Sequence, residues 1–209
     1  SGNVYTTGTF NGTVDFDPGP GTFSLTSTGV EDVYISKLDS SGNFVWAGAW
    51  GGGSFDLGLS IAIDANGFVY STGLFQGTAD FDPGAGTFNL TANSMDGFVV
   101  KLNALNGNLV WAKQFRTSFL VEPGAIAIDA YGNVITVGHY EGIADFDPGA
   151  GSLNFSGDGA YITKLDSAGN LIWAKQLAHP ASQSPLSSCI AKSLVLDSLG
   201  NVYATGDFI

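Results

Sequence analysis

An all-β fold built by repeating one antiparallel sheet is what this sequence predicts, and three observations predict it. The pentapeptide Asp15-Phe16-Asp17-Pro18-Gly19 returns as Asp80-Phe81-Asp82-Pro83-Gly84 and as Asp145-Phe146-Asp147-Pro148-Gly149, each 65 residues after the last, and a fixed long period marks a repeat architecture. Only 12% of the residues are charged, 44% are hydrophobic and 30 are glycine, which describes a turn-rich chain able to bury a core. Between the turn residues the apolar stretches are short and rich in Val, Ile, Thr, Tyr and Phe, as strands are.

Taken in order, Val4 to Phe10 follows a Gly-Asn turn and reads as a strand, with counterparts at Val69 to Phe75, Val134 to Tyr140 and Val202 to Phe208. Each carries an interior glycine, Gly8, Gly73, Gly138 or Gly206, and glycine inside a strand marks a bulge or the close approach of another backbone. The Asp-Phe-Asp-Pro-Gly element then leads into Thr22 to Thr26, whose alternation suggests a half-buried strand, so the whole stretch forms a hairpin-like excursion. Val33 to Leu38, the turn Asp39-Ser40-Ser41-Gly42-Asn43 and Phe44 to Trp50 make a β-hairpin, repeated at Phe98 to Phe115 and Tyr161 to Leu177. Ser60 to Asp64 closes the cycle and recurs as Ala125 to Asp129 and Ser193 to Asp197. The third unit is longer around Pro180 to Cys189, which reads as a surface loop carrying an incidental thiol.

Four antiparallel strands per cycle and no expected helix point to β-propeller blades, which protect sheet edges by radial repetition; a β-solenoid normally has shorter coils. The chain is expected to form one propeller segment over 1–209, with repeat units at about 1–59, 60–124 and 125–192 and a partial unit at 193–209. Three repeats fall short of the roughly 4 to 8 blades of a closed ring. The partners expected are therefore the remaining blades of a longer chain or a second copy, and the missing initial Met suggests a segment of a longer polypeptide.

Gly-Asn-Val-Tyr-x-Thr-Gly, followed by Val-Tyr-Ile-Ser-Lys-Leu-Asp-Ser-Ser-Gly-Asn-Phe-Val-Trp, resembles the bacterial repeat family named for the seven-bladed β-propeller. The likeness extends over essentially the whole chain. It implies a propeller fold within large secreted or surface-attached bacterial proteins of varied role, and the Asp-Phe-Asp-Pro-Gly excursion lengthens the unit beyond the commoner form.

A net charge of −12 opposes binding to nucleic acid or anionic lipid, and no apolar run reaches the roughly 18 residues of a membrane helix. Cys189 is the single cysteine, so neither an internal disulfide nor a paired-thiol zinc site is available.

Asp15 and Asp17, with Asp80 and Asp82 and with Asp145 and Asp147, are candidate calcium ligands, because two hard oxygen donors beside a tight Pro-Gly turn begin a calcium loop. Asp32, Asp96 and Asp158 are candidates to complete it. The competing reading has these aspartates accepting backbone N–H groups of their own turn, with the central phenylalanine pinning the excursion. A glycosidase role for the pair is disfavoured by its repetition.

Lys37, Lys101 and Lys164 share one repeat position and are expected either to pair with Asp32, Asp96 and Asp158 or to lie along the sheet with the charge in water. Trp46, Trp111 and Trp173 read as packing between sheets in preference to a sugar platform. His139 and His179 fall at unrelated positions and suggest no catalytic arrangement. The function expected is a non-enzymatic, extracellular or cell-surface scaffold or interaction module with a protein or glycan ligand, braced by calcium. The alternative is a carbohydrate-binding or carbohydrate-degrading module.

Overall fold

A computed structural model describes residues 2–179 and 188–208. Among the described residues there are strands and turns and no helix. The first sheet joins β1 (Val4–Phe10), β4 (Asp32–Leu38) and β5 (Phe44–Gly52), with β2 (Thr13–Asp15) and β3 (Ser24–Thr26) forming a separate hairpin between its first two strands. A complete four-stranded antiparallel meander follows, formed by β6 (Asp56–Ile63), β7 (Phe68–Asp80), β8 (Asn89–Asn103) and β9 (Leu109–Thr117). A second comprises β10 (Leu120–Ile128), β11 (Val134–Asp145), β12 (Asn154–Leu165) and β13 (Leu171–Ala178). The paired strands β14 (Cys189–Leu196) and β15 (Val202–Phe208) begin a fourth.

The core lies between consecutive sheets. Val33, Ile35, Trp46 and Trp50 of the first sheet pack on Val69, Phe75, Phe81 and Phe98 of the second. Tyr70, Val99 and Phe115 of the second pack on Val134, Tyr140 and Phe146 of the third, and Ile135, Val137 and Ile162 of the third pack on Cys189, Ala191 and Leu194 of β14. The second and third sheets are thus apolar on both faces, and the opening strands lie side by side: β6 contacts β10, and β10 contacts β14. These opening strands begin at Asp56, Leu120 and Cys189, ahead of the Ser60, Ala125 and Ser193 at which the sequence pattern becomes regular. The register explains the difference, because each contains a bulge, between Gly58 and Ser60, Pro123 and Ala125, and Ala191 and Ser193, which interrupts the alternation that marks a strand. Cys189 is accordingly a buried residue opening β14, not an incidental thiol in a surface loop; the remainder of the expected loop, 180–187, lies outside the described residues.

The strand glycines sit opposite these bulges. A Cβ on Gly73 would lie 1.8 Å from the Leu57 carbonyl oxygen, and one on Gly138 would lie 2.2 Å from that of Glu122. At Gly8 the nearest atom is instead the ring of Tyr34, at 2.9 Å, as no strand precedes β1 among the described residues.

The excursions also bind sheet to sheet. In the second and third units the excursion extends the second and third strands into one long hairpin whose outer edge pairs with the last strand of the preceding sheet, Gly51 with Asp80 and Arg116 with Asp145. The first excursion has no such neighbour among the described residues and is a short separate hairpin. Phe81 and Phe146 are fully buried against Phe75 and Phe98, and against Tyr140 and Tyr161, whereas Phe16 on Phe10 and Tyr34 remains half-buried.

Candidate functional site

The six aspartates of the excursions have one geometry repeated three times. Asp15 Oδ1 accepts the backbone N–H groups of Asp17 at 3.0 Å and Phe23 at 2.8 Å, and Asp17 Oδ1 accepts that of Gly19 at 2.8 Å. Asp80 and Asp82 do the same with Asp82, Phe88 and Gly84, and Asp145 and Asp147 with Asp147, Leu153 and Gly149. The second oxygen of Asp17 lies against Gly21, where a Cβ would approach it to 2.2 Å. These are the hydrogen bonds of the turn reading, and the two N–H donors hold the exposed Asp15 carboxyl below its usual range. No third carboxylate joins any of these pairs within metal-binding distance among the described residues.

Asp32 and Asp96 brace the sheets instead of completing such a site. Asp96 Oδ1 accepts the N–H of Thr117 at 3.0 Å, and its Oδ2 accepts Gln114 Nε2 at 2.6 Å. Asp32 Oδ2 accepts the N–H and hydroxyl of Thr28 at 2.9 and 3.0 Å. Asp158 does not occupy the same position: Asp32 and Asp96 face Phe10 and Phe75, while in the third sheet Gly159 faces Tyr140 and Asp158 faces Glu141. The one-residue slip turns Asp158 to the other side of its strand.

The lysines pair with none of these acids in the first two sheets. Lys37 Nζ and Trp46 Nε1 both donate to the carbonyl of Ala104, in the hairpin turn of the next sheet, at 2.7 and 3.3 Å. Lys101 Nζ and Trp111 Nε1 do likewise to the carbonyl of Ser167, at 3.1 and 3.2 Å. Burial lowers the Lys101 pKa, partly offset by Asp64, and its ammonium lies 4.1 Å from the centre of the Phe68 ring. Lys164 meets no following turn among the described residues and forms an ion pair with Asp129 at 2.8 Å. The tryptophans therefore serve the junctions between sheets: Trp46 is buried, and Trp111 and Trp173 pack against the next two clusters.

Two constellations do not repeat. Asp56 is buried at a position occupied by Val121 and Cys189 in later sheets. Its Oδ2 accepts the Gly52 N–H at 2.7 Å, and a Cβ on Gly51 would lie 2.7 Å from Asp32 Oδ1 and 2.9 Å from Asp56 Oδ2. Both Oδ1 atoms are buried without a hydrogen-bond partner. Desolvation, helped by the charge of Asp32, pushes the Asp56 pKa up to about 6.

The second is a cleft of about 570 Å³ between the second and third sheets, lined by Phe55, Leu57, Leu74, Met95 and Leu120 with Gln76 and Glu122 at its polar side. Glu122 stands opposite His139 across the β10–β11 pair. His139 is buried, with Nε2 3.2 Å from Asp158 Oδ1 and 3.9 Å from Glu141 Oε1. The sequence pattern hid this group because Asp158 was aligned with Asp32 and Asp96. The readable signal was the departure from the repeat, since the positions of His139, Glu141 and Asp158 are Leu74, Gln76 and Met95 in the preceding sheet.

Successive antiparallel meanders, apolar on both faces and clamped turn to sheet, define a β-propeller-type repeat protein. Consistent with that class, the chain is similar to an uncharacterized WD repeat-containing protein of Acanthamoeba polyphaga mimivirus, at 25% identity over 194 residues that cover 77% of this chain. The chain spans 14% of the length of that relative. No protein-family model matches.

Proposed function

We propose that this chain is a non-enzymatic interaction module that holds a protein partner on the propeller face carrying the cleft between the second and third sheets. The observation that carries the reading is the cleft itself: Phe55 and Met95, 49% and 38% exposed, present apolar surface beside the polar ends of Gln76 and Glu122. Apolar lining with few polar groups suits a side-chain anchor, and the unbranched methionine adapts to its shape. The repeated aspartates, lysines and tryptophans are committed to turns and junctions, which leaves recognition to residues that do not repeat.

Panning a displayed peptide library against the protein tests this. Peptides with an apolar anchor should be enriched and should lose binding to Met95→Asp, a change on the exposed rim. Failure to enrich any peptide that responds to this variant would overturn the reading, and selective, saturable binding on a glycan array would favour the carbohydrate module in its place. Placement outside the cell or on a bacterial cell surface belongs to the same proposal and rests on the family resemblance; fractionating cells that make the full-length protein tests it.

A further inference from the structure

His139, Glu141 and Asp158 place one imidazole nitrogen and two carboxylate oxygens within 4.8 Å of one another. We infer that they form a binding site for a single divalent transition-metal ion such as zinc, on the face of the third sheet that Ile135 and Val137 turn toward β14, separate from the aspartates of the excursions. Tetrahedral zinc with ligands at roughly 2.0–2.2 Å needs its donors about 3.4 Å apart. Nε2 already lies 3.2 Å from Asp158 and 3.9 Å from Glu141, so a small rotation of the half-exposed Glu141 side chain completes the arrangement.

The register supplies the geometry. His139 and Glu141 are two apart on β11 and project from one face, Asp158 stands directly opposite Glu141 on β12, and Glu122 stands directly opposite His139 on β10. Three carboxylates thus share a face with one imidazole, and no lysine or arginine is ion-paired with any of them among the described residues. A cation relieves that repulsion. The mixed nitrogen and oxygen set favours zinc and its first-row neighbours over calcium, which takes 6 to 8 oxygens.

The second observation comes from the repeat. The equivalent residues of the preceding sheet, Leu57, Leu74, Gln76 and Met95, line the cleft, so at the positions of Leu74, Gln76 and Met95 the third sheet instead carries three metal-ligating side chains. Gly159 takes the place of the bracing aspartate Asp96, and the acid moves one residue to Asp158, onto the face of His139. His139 is only 5% exposed and turns Nε2 toward both carboxylates, which pre-organises the nitrogen ligand.

Calorimetric titration of the whole protein with zinc chloride tests the site. One ion per chain is expected, with His139→Gln and Glu141→Gln each weakening binding by about 100-fold, the upper range for losing even an outer-shell partner of a bound metal. Cobalt(II) titrated in place of zinc should give the intense visible absorption of a tetrahedral ion, absent in both variants. Absence of binding to the folded native protein, or zinc affinity unchanged in either variant, would overturn the inference. Glu141 is partly exposed, so its variant keeps the test decisive even if His139→Gln does not fold.

Discussion

Replacing Asp56 by asparagine should stabilise the protein, and by an amount that depends on pH in a defined direction. The Asp56 carboxyl is buried beside Asp32 and titrates at about 6 in the folded chain, against an ordinary value of 3.8. Between those two values the folded state keeps a proton that the unfolded chain has already released. The native protein therefore loses stability as pH rises through this window, by about 3 kcal/mol for a shift of about two units. Above the window the loss is complete, and below it the penalty is absent. Asparagine keeps an oxygen for the Gly52 N–H, now 2.7 Å from Asp56 Oδ2, and never ionises. In urea denaturation Asp56→Asn should exceed the native protein by about 3 kcal/mol at pH 8 and by only about 0.5 kcal/mol at pH 4. A variant less stable than native at pH 8, or a difference that does not change with pH, would refute the view that two carboxylates crowd each other behind Gly51.

Lys37→Met removes a cation donating to the Ala104 carbonyl across the first sheet junction and should cost about 1.5–3 kcal/mol in the same assay, while the exposed pair Lys192–Asp207 should cost less than 1 kcal/mol when broken. Gly73→Ala places a methyl against the Leu57 carbonyl and should cost about 3 kcal/mol or more, whereas Gly8→Ala, which meets only the Tyr34 ring, should cost about 1 kcal/mol; equal costs would contradict the bulge geometry. Millimolar calcium should leave the melting temperature unchanged, because the excursion Oδ1 atoms already accept backbone N–H groups; a rise on adding calcium would support the cation-braced reading.

Strands and turns were legible in the sequence because their signals are local: alternation, Gly-Asn turns and the repeated pentapeptide. The four-strand cycle follows from that periodicity, and so does the position of Trp46, Trp111 and Trp173 between sheets. Partnerships across the junctions were not legible. Nothing near Lys37 in the chain marks the carbonyl of Ala104, since a backbone acceptor carries no sequence signature. The bulges opposite Gly73 and Gly138 concealed the first residues of β6 and β10, because an extra residue reverses the alternation. Asp158 was misplaced for a related reason: motif spacing cannot reveal that one acid has slipped to the opposite face, and only the pairing of Glu141 with Asp158 does so.

Amide hydrogen exchange read strand by strand addresses the repeated-sheet architecture most directly. Residues 69–75 of β7 and 134–140 of β11 are each hydrogen-bonded on both edges, so the two segments should exchange slowly and with matching residue-by-residue profiles. Unrelated profiles, or rapid exchange through either segment in the folded protein, would contradict equivalent sheets built from equivalent sequence.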